Sequence, residues 1–287
     1  MAVAASRTEA DRLAAGLPAI RIAADRLAAT VMYGFHGRRQ AGAGDEFWQF
    51  RTYQSFDTSA AVDWRQSAKR DRVFVRQREW QVTRTAWLWH DRSPSMDYRS
   101  HRQLPSKRER AEIILLALAN LLLAGDEAVA LMDANMRPRA GRSVLDAITE
   151  RLHIAGGDLP SATPLPADAT GILISDFLMA PAALETALKG LASAGAQGHL
   201  IAISDPAEEA FPFQGRIRFE GLEAEEPYLL EQADEVAAAY PRRRSEHRRQ
   251  ITDIAGRFGW RVIHHLTDTP AERLLLTIYS TIAMPAR

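Results

Sequence analysis

The 287-residue sequence has no cysteine and no long hydrophobic run. The lack of cysteine excludes disulfides, thiolate zinc sites and cysteine nucleophiles, and it is consistent with a reducing compartment. The longest apolar stretch, IILLALANLLLAG from Ile113, falls well short of the ~20 residues that a membrane-spanning helix needs, so it predicts a buried helix. The N-terminal segment also lacks the uninterrupted apolar core of a secretory signal. We therefore expect a cytoplasmic protein without a membrane span.

Neither sign of charge dominates, because 36 basic residues balance 36 acidic ones. A balanced chain creates no overall field that would attract nucleic acid or an anionic membrane. Several motifs are missing as well: the P-loop, G-x-S-x-G, H-E-x-x-H, and a G-x-G-x-x-G that opens a helix after a strand. We therefore expect no nucleic-acid partner and no dinucleotide-binding site.

Apolar runs and helical patterns alternate from residue 82 onward. The runs TRTAWLWHD, EAVALMD, GILISD, GHLIAISD and WRVIHHL predict strands, and continuous runs such as GILISD are typical of parallel strands covered on both faces. Ser106 with Glu109 forms a capping box for a helix that ends at Gly125. A long helix is predicted over Pro241–Phe258. The alternation predicts a doubly wound, mostly parallel, Rossmann-like α/β sheet.

Three segments are expected along the chain. Residues 1–33 predict a helical arm, residues 34–81 an irregular N-terminal extension, and residues 82–287 the α/β domain. The extension is rich in aromatic residues and arginine, and Trp64 stands in it between an aspartate and an arginine. We expect Trp64 to be a buried anchor that holds the extension on the sheet.

Polar side chains follow the predicted strands of this sheet. Asp91, Ser93 and Ser95 come directly after the first strand, and Asp176 ends a central strand. Ligands bind outside the carboxyl ends of parallel strands, so these side chains are expected to meet at one edge, where their oxygens suit a hard cation. The alternative is a polar turn, since Asp and Ser are common in turns. For Asp205, in the sequence SDP, we favour the turn.

The motif after the first predicted strand and the segment before that strand resemble known protein families. The D-x-S-x-S pattern of DRSPS resembles the metal-ion-dependent adhesion site of von Willebrand factor A domains. The run RTYQSFDTSAAVDWRQSAKRDRVFVRQRE, followed by DRSPSM, resembles the signature of the bacterial domain-of-unknown-function family 58. This resemblance covers roughly residues 34–285. It implies a von Willebrand A-like fold with an N-terminal extension.

The resemblance also implies a set of metal ligands for Mg²⁺ or Ca²⁺. By position in the motifs these would be Asp91, Ser93, Ser95 and, acting through water, Asp176. A loop threonine normally completes such a site, and Thr163 is the nearest candidate, followed by Ser161. The sequence departs from the family pattern here, because Asp158 stands where that threonine would be expected.

Family 58 members are thought to act as adaptors or co-chaperones of MoxR-type AAA+ ATPases. The resemblance therefore implies a non-enzymatic protein-interaction module whose partner is such an ATPase, or another protein that offers an acidic residue. The alternative is a magnesium-dependent phosphohydrolase or phosphotransferase that uses strand-end carboxylates. Haloacid-dehalogenase-like enzymes place Asp-x-Asp after the first strand, whereas this chain has Asp-Arg-Ser, so the second acid is missing.

Overall fold

The computed structural model describes residues 20–32, 48–54, 62–68, 72–78, 85–154, 157–222 and 226–283. The chain divides into two compact units: a larger one of Met1–Gly34 with Arg84–Arg287, and a smaller one of Phe35–Thr83. The strands are β1 (Trp48–Thr52), β2 (Phe74–Arg78), β3 (Thr85–His90), β4 (Ala128–Leu131), β5 (Ala169–Ser175), β6 (Gln197–Ser204), β7 (Ile217–Phe219), β8 (Tyr228–Leu230) and β9 (Trp260–Leu266). The helices are α1 (residues 20–32), α2 (Trp64–Ser67), α3 (Lys107–Ala124), α4 (Ser143–Arg151), α5 (Pro181–Leu191), α6 (Pro206–Ala210), α7 (Ala233–Arg257) and α8 (Glu272–Ala283).

A five-stranded sheet forms the centre of the larger unit. Its strand order is β4-β3-β5-β6-β9, and every neighbouring pair is parallel. Helices cover both faces: α1, α3, α4 and α8 pack on one side, and α5 and α7 on the other. The predicted α/β fold class, with a doubly wound parallel sheet, is confirmed.

Helix α3 shows how the sequence sets this arrangement. The predicted capping box is present, since Ser106 Oγ accepts the backbone N–H of Glu109 and the Glu109 carboxylate accepts that of Ser106. From Ala111 to Leu123, every residue except Ile113 and Asn120 is buried. A helix that is apolar all round has to lie inside the molecule, and α3 packs between the sheet and helices α4 and α8. Within the described ranges, no helix is both long and apolar enough to span a membrane.

The predicted start of α7 at Pro241 is wrong. The helix begins at Ala233, and Pro241 lies inside it. An internal proline usually breaks a helix because it removes a backbone donor and its ring crowds the preceding turn. Here the earlier turns are held from outside: Ala233 N donates to Gly215 O at 2.8 Å, and the Tyr240 hydroxyl donates to Glu208 O at 2.6 Å.

The β7–β8 hairpin was not predicted from the sequence. The two short strands are antiparallel, and Phe219 is the register partner of Tyr228. Phe219 packs in a cluster of aromatic rings that includes Phe211, whose ring centroid lies 4.6 Å from that of Tyr240 on α7. This packing holds the hairpin against helix α7 within the larger unit.

The smaller unit contains an antiparallel pair, β1 and β2, and the one-turn helix α2. Asp63 is buried and its N–H donates to Phe74 O at 2.8 Å, while Ser67 Oγ accepts Phe74 N at 2.8 Å. Because residues four apart share one face of a helical turn, this arrangement directs Asp63 and Ser67 towards β2 and leaves Trp64 outside. Trp64 is 69% exposed, so its predicted role as a buried anchor is wrong. That residues 34–81 pack on the sheet stays a prediction.

Candidate functional site

The strand order brings the three aspartates that follow predicted strands to the carboxyl edge of the sheet. Strands β4 and β5 lie on opposite sides of β3, so the direction of winding changes between β3 and β5. Such a switch point opens a crevice at the carboxyl ends of the strands. Asp91 follows β3 and Asp176 follows β5, and Asp91 N donates to Ile174 O at 2.8 Å across the two strands. Asp205 follows β6 next to them.

Asp91 is fixed by hydrogen bonds to both of its carboxylate oxygens. Oδ1 accepts the backbone N–H of Ser93 at 2.7 Å, and Oδ2 accepts the hydroxyl of Ser175 at 2.6 Å. The side chain is almost fully buried, and burial raises the pKa of Asp91 to about 6, although these hydrogen bonds act in the opposite direction. The negative charge of Asp176 adds to the rise. A nearby cation would favour the charged form of this carboxyl.

Ser93 and Ser95 connect Asp91 to Asp176. The two serine hydroxyls lie 2.9 Å apart, and Ser95 Oγ donates to Asp176 Oδ2 at 2.8 Å. The other oxygen, Asp176 Oδ1, accepts the backbone N–H of Leu178 at 3.1 Å. The structure therefore brings together four of the five side chains that the sequence suggested as metal ligands.

Lys107 is a functional candidate that sequence reasoning missed. It is the first residue of α3 and only 1% exposed, and its Nζ donates to Asp176 Oδ2 and to Glu208 Oε1, each at 2.7 Å. Burial lowers the pKa of Lys107, but the charges of Asp176 and Glu208 more than offset this, so the pKa lies above its usual value. The sequence did contain a signal for this role, which is the position of Lys107 in the first turn of α3. A cation is unfavourable at the N-terminus of a helix, and the apolar residues of α3 offer no acidic partner, so the lysine needs a partner from another element.

Asp205 has the turn role that the sequence favoured. Its Oδ1 accepts Ala207 N at 2.8 Å as the N-cap of α6, and its Oδ2 accepts Ser100 N at 2.9 Å. Glu208 completes the capping box by accepting Asp205 N at 2.8 Å with its second oxygen. Glu208 therefore reaches Lys107 from a fixed position, and Asp205 acts by holding that position.

An open pocket of about 490 Å³ lies over these side chains. Its described lining residues include five carboxylates and one ammonium group: Asp91, Asp158, Asp176, Glu208, Glu220 and Lys107. Apolar side chains also line it, and Leu178 and Leu222 among them are about half exposed. The pocket therefore combines an excess of negative charge with apolar contact surface.

Comparison with known protein families agrees with the sequence resemblance. The family model described as "Protein of unknown function DUF58" matches residues 49–250. The chain belongs to this family. No curated protein matches it. Two solved structures are similar over 70% of this chain and 98% of theirs, each at 14% identity and a TM-score of 0.41: the conserved hypothetical protein BatB from Bacteroides thetaiotaomicron, and an aerotolerance-related membrane protein from Bacteroides fragilis NCTC 9343 with multiple mutations to serines.

Thr163, the fifth predicted ligand of this DUF58 protein, lies elsewhere. It lines a separate depression beside Trp87, and its hydroxyl lies 2.9 Å from that of Ser161. Leu165, two residues further on, fixes the position of this loop. Its side chain is buried, and its N–H donates to Leu191 O at the end of α5, so the loop that carries Thr163 is held beside α5. Asp158 lines the main pocket instead.

The remaining donor set of the DUF58 protein fits a hard divalent cation. Two carboxylates and two hydroxyls are the oxygen ligands that Mg²⁺ and Ca²⁺ accept, and Mg²⁺ keeps several waters of its own. The described residues contain no group of three or more acidic or histidine side chains that could hold a metal. Such an ion would therefore depend on Ser93 and Ser95 as well as on Asp91, with Asp176 beside them.

Proposed function

We propose that this chain is a non-enzymatic protein-interaction module whose contact lies at the pocket over β3 and β5. The observation that carries the proposal is the hydrogen-bonded convergence of Asp91, Ser93, Ser95 and Asp176 at an open pocket. A bound Mg²⁺ or Ca²⁺ would supply a free coordination position for a carboxylate of the partner. The protein's own side chains would hold and orient that contact.

The surroundings of the pocket suit a protein partner. Leu178 and Leu222 are about half exposed where they line it, so apolar side chains of a partner would find contact area beside the charged group. Protein interfaces combine apolar contact area with direct polar contacts, and this pocket offers both. On the family resemblance we propose a MoxR-type AAA+ ATPase as the partner, contributing an aspartate or glutamate.

A phosphohydrolase has less support from the same geometry. Phosphoryl transfer needs fixed positive charge on the phosphoryl oxygens. The ammonium of Lys107 is already bonded to two carboxylates, and the five carboxylates of the pocket would repel a phosphate group. Both oxygens of Asp91 are also engaged by hydrogen-bond donors, which reduces their reactivity as nucleophiles.

The experiment measures binding of the purified chain to a MoxR-type ATPase by biolayer interferometry, in Mg²⁺ and in EDTA. We expect binding in Mg²⁺ that is lost in EDTA and in the double variant Ser93→Ala/Ser95→Ala. The double variant Ser161→Ala/Thr163→Ala is a matched control, because it removes another pair of hydroxyls 2.9 Å apart that lies outside the pocket. This control should bind like the wild type.

The same preparations should be assayed against a panel of phosphomonoesters and nucleotides. We expect no turnover from the wild type. Suppose instead that the protein shows magnesium-dependent turnover that Asp91→Asn abolishes, and no chelator-sensitive binding of the ATPase. The interaction-module proposal would then be rejected in favour of the phosphohydrolase or phosphotransferase.

A further inference from the structure

The candidate metal site already contains a cation that belongs to the protein. Lys107 is buried, and its Nζ lies 2.7 Å from Asp176 Oδ2 and 2.7 Å from Glu208 Oε1. The ammonium is held from two directions, because Asp176 ends β5 and Glu208 belongs to α6. It therefore sits in the site in a fixed position.

Lys107 and a divalent ion would use the same carboxylate. Asp176 Oδ2 accepts both the ammonium of Lys107 and the hydroxyl of Ser95, which is one of the oxygens proposed to hold the ion. A divalent cation near Ser95 would share the charge of Asp176 with Lys107. It would also be repelled by the ammonium at short range in a partly desolvated pocket.

We propose that Lys107 sets the cation affinity of this site: its fixed ammonium engages Asp176 and lowers the affinity for a divalent ion. The inference rests on the proposed metal-dependent contact and adds to it the residue that controls that contact. A purely structural role for the Lys107 ion pairs would instead make Lys107 variants less stable and leave ion affinity unchanged. The two roles therefore differ in a measurable quantity.

The first variant is Lys107→Met, which keeps a long unbranched side chain and removes the charge. Removing one partner of a buried ion pair is strongly destabilising, since the other charge is left alone. The second variant, Lys107→Met/Glu208→Gln, therefore removes both charges of the Lys107–Glu208 pair, leaves the net charge of the pocket unchanged and still frees Asp176. Lys189→Met is the matched control, because Lys189 lies exposed on α5.

The experiment is a calorimetric titration of Mg²⁺, and separately of Ca²⁺, into the full chain without a partner. Lys107→Met is expected to bind the ion at least about tenfold more tightly than the wild type, because removal of a unit positive charge a few ångströms away is worth at least that much. The double variant loses an attracting and a repelling charge together, so its gain in affinity is smaller and comes from the freed carboxylate of Asp176. Lys189→Met should match the wild type. Adding Asp91→Asn to either Lys107 variant should abolish the gain, which assigns it to this site. A thermal shift series with Mg²⁺ gives an independent measure, with a larger stabilisation of the variants than of the wild type.

The outcomes separate this inference from the proposed function. If the wild type binds Mg²⁺ and both Lys107 variants bind it equally or more weakly, the inference is overturned and the metal-dependent contact stands. If neither the wild type nor any variant binds an ion, both are overturned. If only the Lys107 variants bind measurably, the inference is supported, because the wild-type affinity is then the lower one.

Discussion

At the scale of single residues, two tryptophans of this chain occupy opposite environments. Trp89, in β3, is 1% exposed and belongs to the core on the α5 and α7 side of the sheet. Trp64, in the one-turn helix α2, is 69% exposed. Burial of a large aromatic side chain is a major source of stability, whereas an exposed one contributes little.

Substitution of these tryptophans should therefore have very different effects on unfolding. We expect Trp89→Ala to lower the free energy of unfolding by about 3–5 kcal/mol, the usual cost of deleting a large core aromatic. Trp64→Ala should change it by no more than about 0.5 kcal/mol, as is typical of exposed positions. Urea unfolding followed by circular dichroism measures both. A loss of several kcal/mol for Trp64→Ala would mean that the side chain is covered in solution.

His199 is a buried residue whose ionisation should affect stability. It lies in β6 opposite Arg261 of β9, and no hydrogen-bond partner of its Nδ1 is found in the described part of the chain. Burial, with a smaller contribution from the charge of Arg261, lowers the pKa of His199 from 6.5 to about 4. The folded protein therefore favours neutral His199, and protonation favours the unfolded chain. The stability due to this group is present above about pH 6.5 and is lost as the pH falls towards 4.

The His199→Leu variant should remove this acid sensitivity. Between pH 7 and pH 4.5 the wild type is expected to lose roughly 2–3 kcal/mol more free energy of unfolding than the variant does. Guanidinium unfolding at several pH values measures the difference, and His101→Leu at an exposed position is the control. Parallel pH dependence of the wild type and His199→Leu would show that His199 does not contribute.

At the scale of elements, helix α1 is part of the core of the larger unit. Ala24, Ala28 and Val31 are buried against residues of the other helices on that side of the sheet. The spacing of these three residues, i, i+4 and i+7, is that of one helical face. Exposed polar groups also tie α1 to its neighbours, such as Asp25, which accepts a hydrogen bond from the side chain of Asn120 at 2.7 Å. The helix should therefore unfold together with the sheet.

Two adjacent alanines of α1 provide a matched test. Ala28→Glu should lower the free energy of unfolding by several kcal/mol, because it places an unpaired charge in the core. Ala29→Glu, at an exposed position with the same helix propensity change, should stay within about 0.5 kcal/mol. Equal effects of the two substitutions in thermal or urea unfolding would mean that α1 does not pack on the core in solution.

The elements that were predictable from the sequence are those whose signals are local. The capping box at Ser106 and Glu109 and the apolar runs of β5 and β6 depend on neighbours in the chain, and the structure contains all of them. The start of α7 was missed because contacts from distant residues, rather than its own sequence, stabilise the turns before Pro241. The β7–β8 hairpin was missed because its strands are three residues each, too short for a periodic pattern.

At the scale of the whole molecule, the topology explains which parts of the site were predictable. Residues that follow parallel strands meet at one edge, so the approach of Asp91 to Asp176 follows from the order of the strands. The contact of Lys107 with Glu208 joins residues 101 positions apart through two helix starts, and no local pattern encodes it. Thr163 was misplaced because the packing of Leu165 on α5, rather than the sequence motif, fixes the course of that loop.

Binding of an ion at this edge should also stabilise the whole larger unit. An ion that binds only the folded chain raises the free energy of unfolding, and each tenfold increase in free Mg²⁺ above the dissociation constant adds about 1.4 kcal/mol. We expect this dependence in urea unfolding of the wild type and none in Asp91→Asn. The variant Asp133→Asn, which makes the same change at an exposed position of the separate depression, should behave like the wild type. All titrations are made at constant ionic strength with NaCl, because salt alone screens the repulsion between the five carboxylates of the pocket. An equal rise in Asp91→Asn would show that Mg²⁺ acts on the charge of the chain in general, and the proposed ion site at Asp91 would then have to be abandoned.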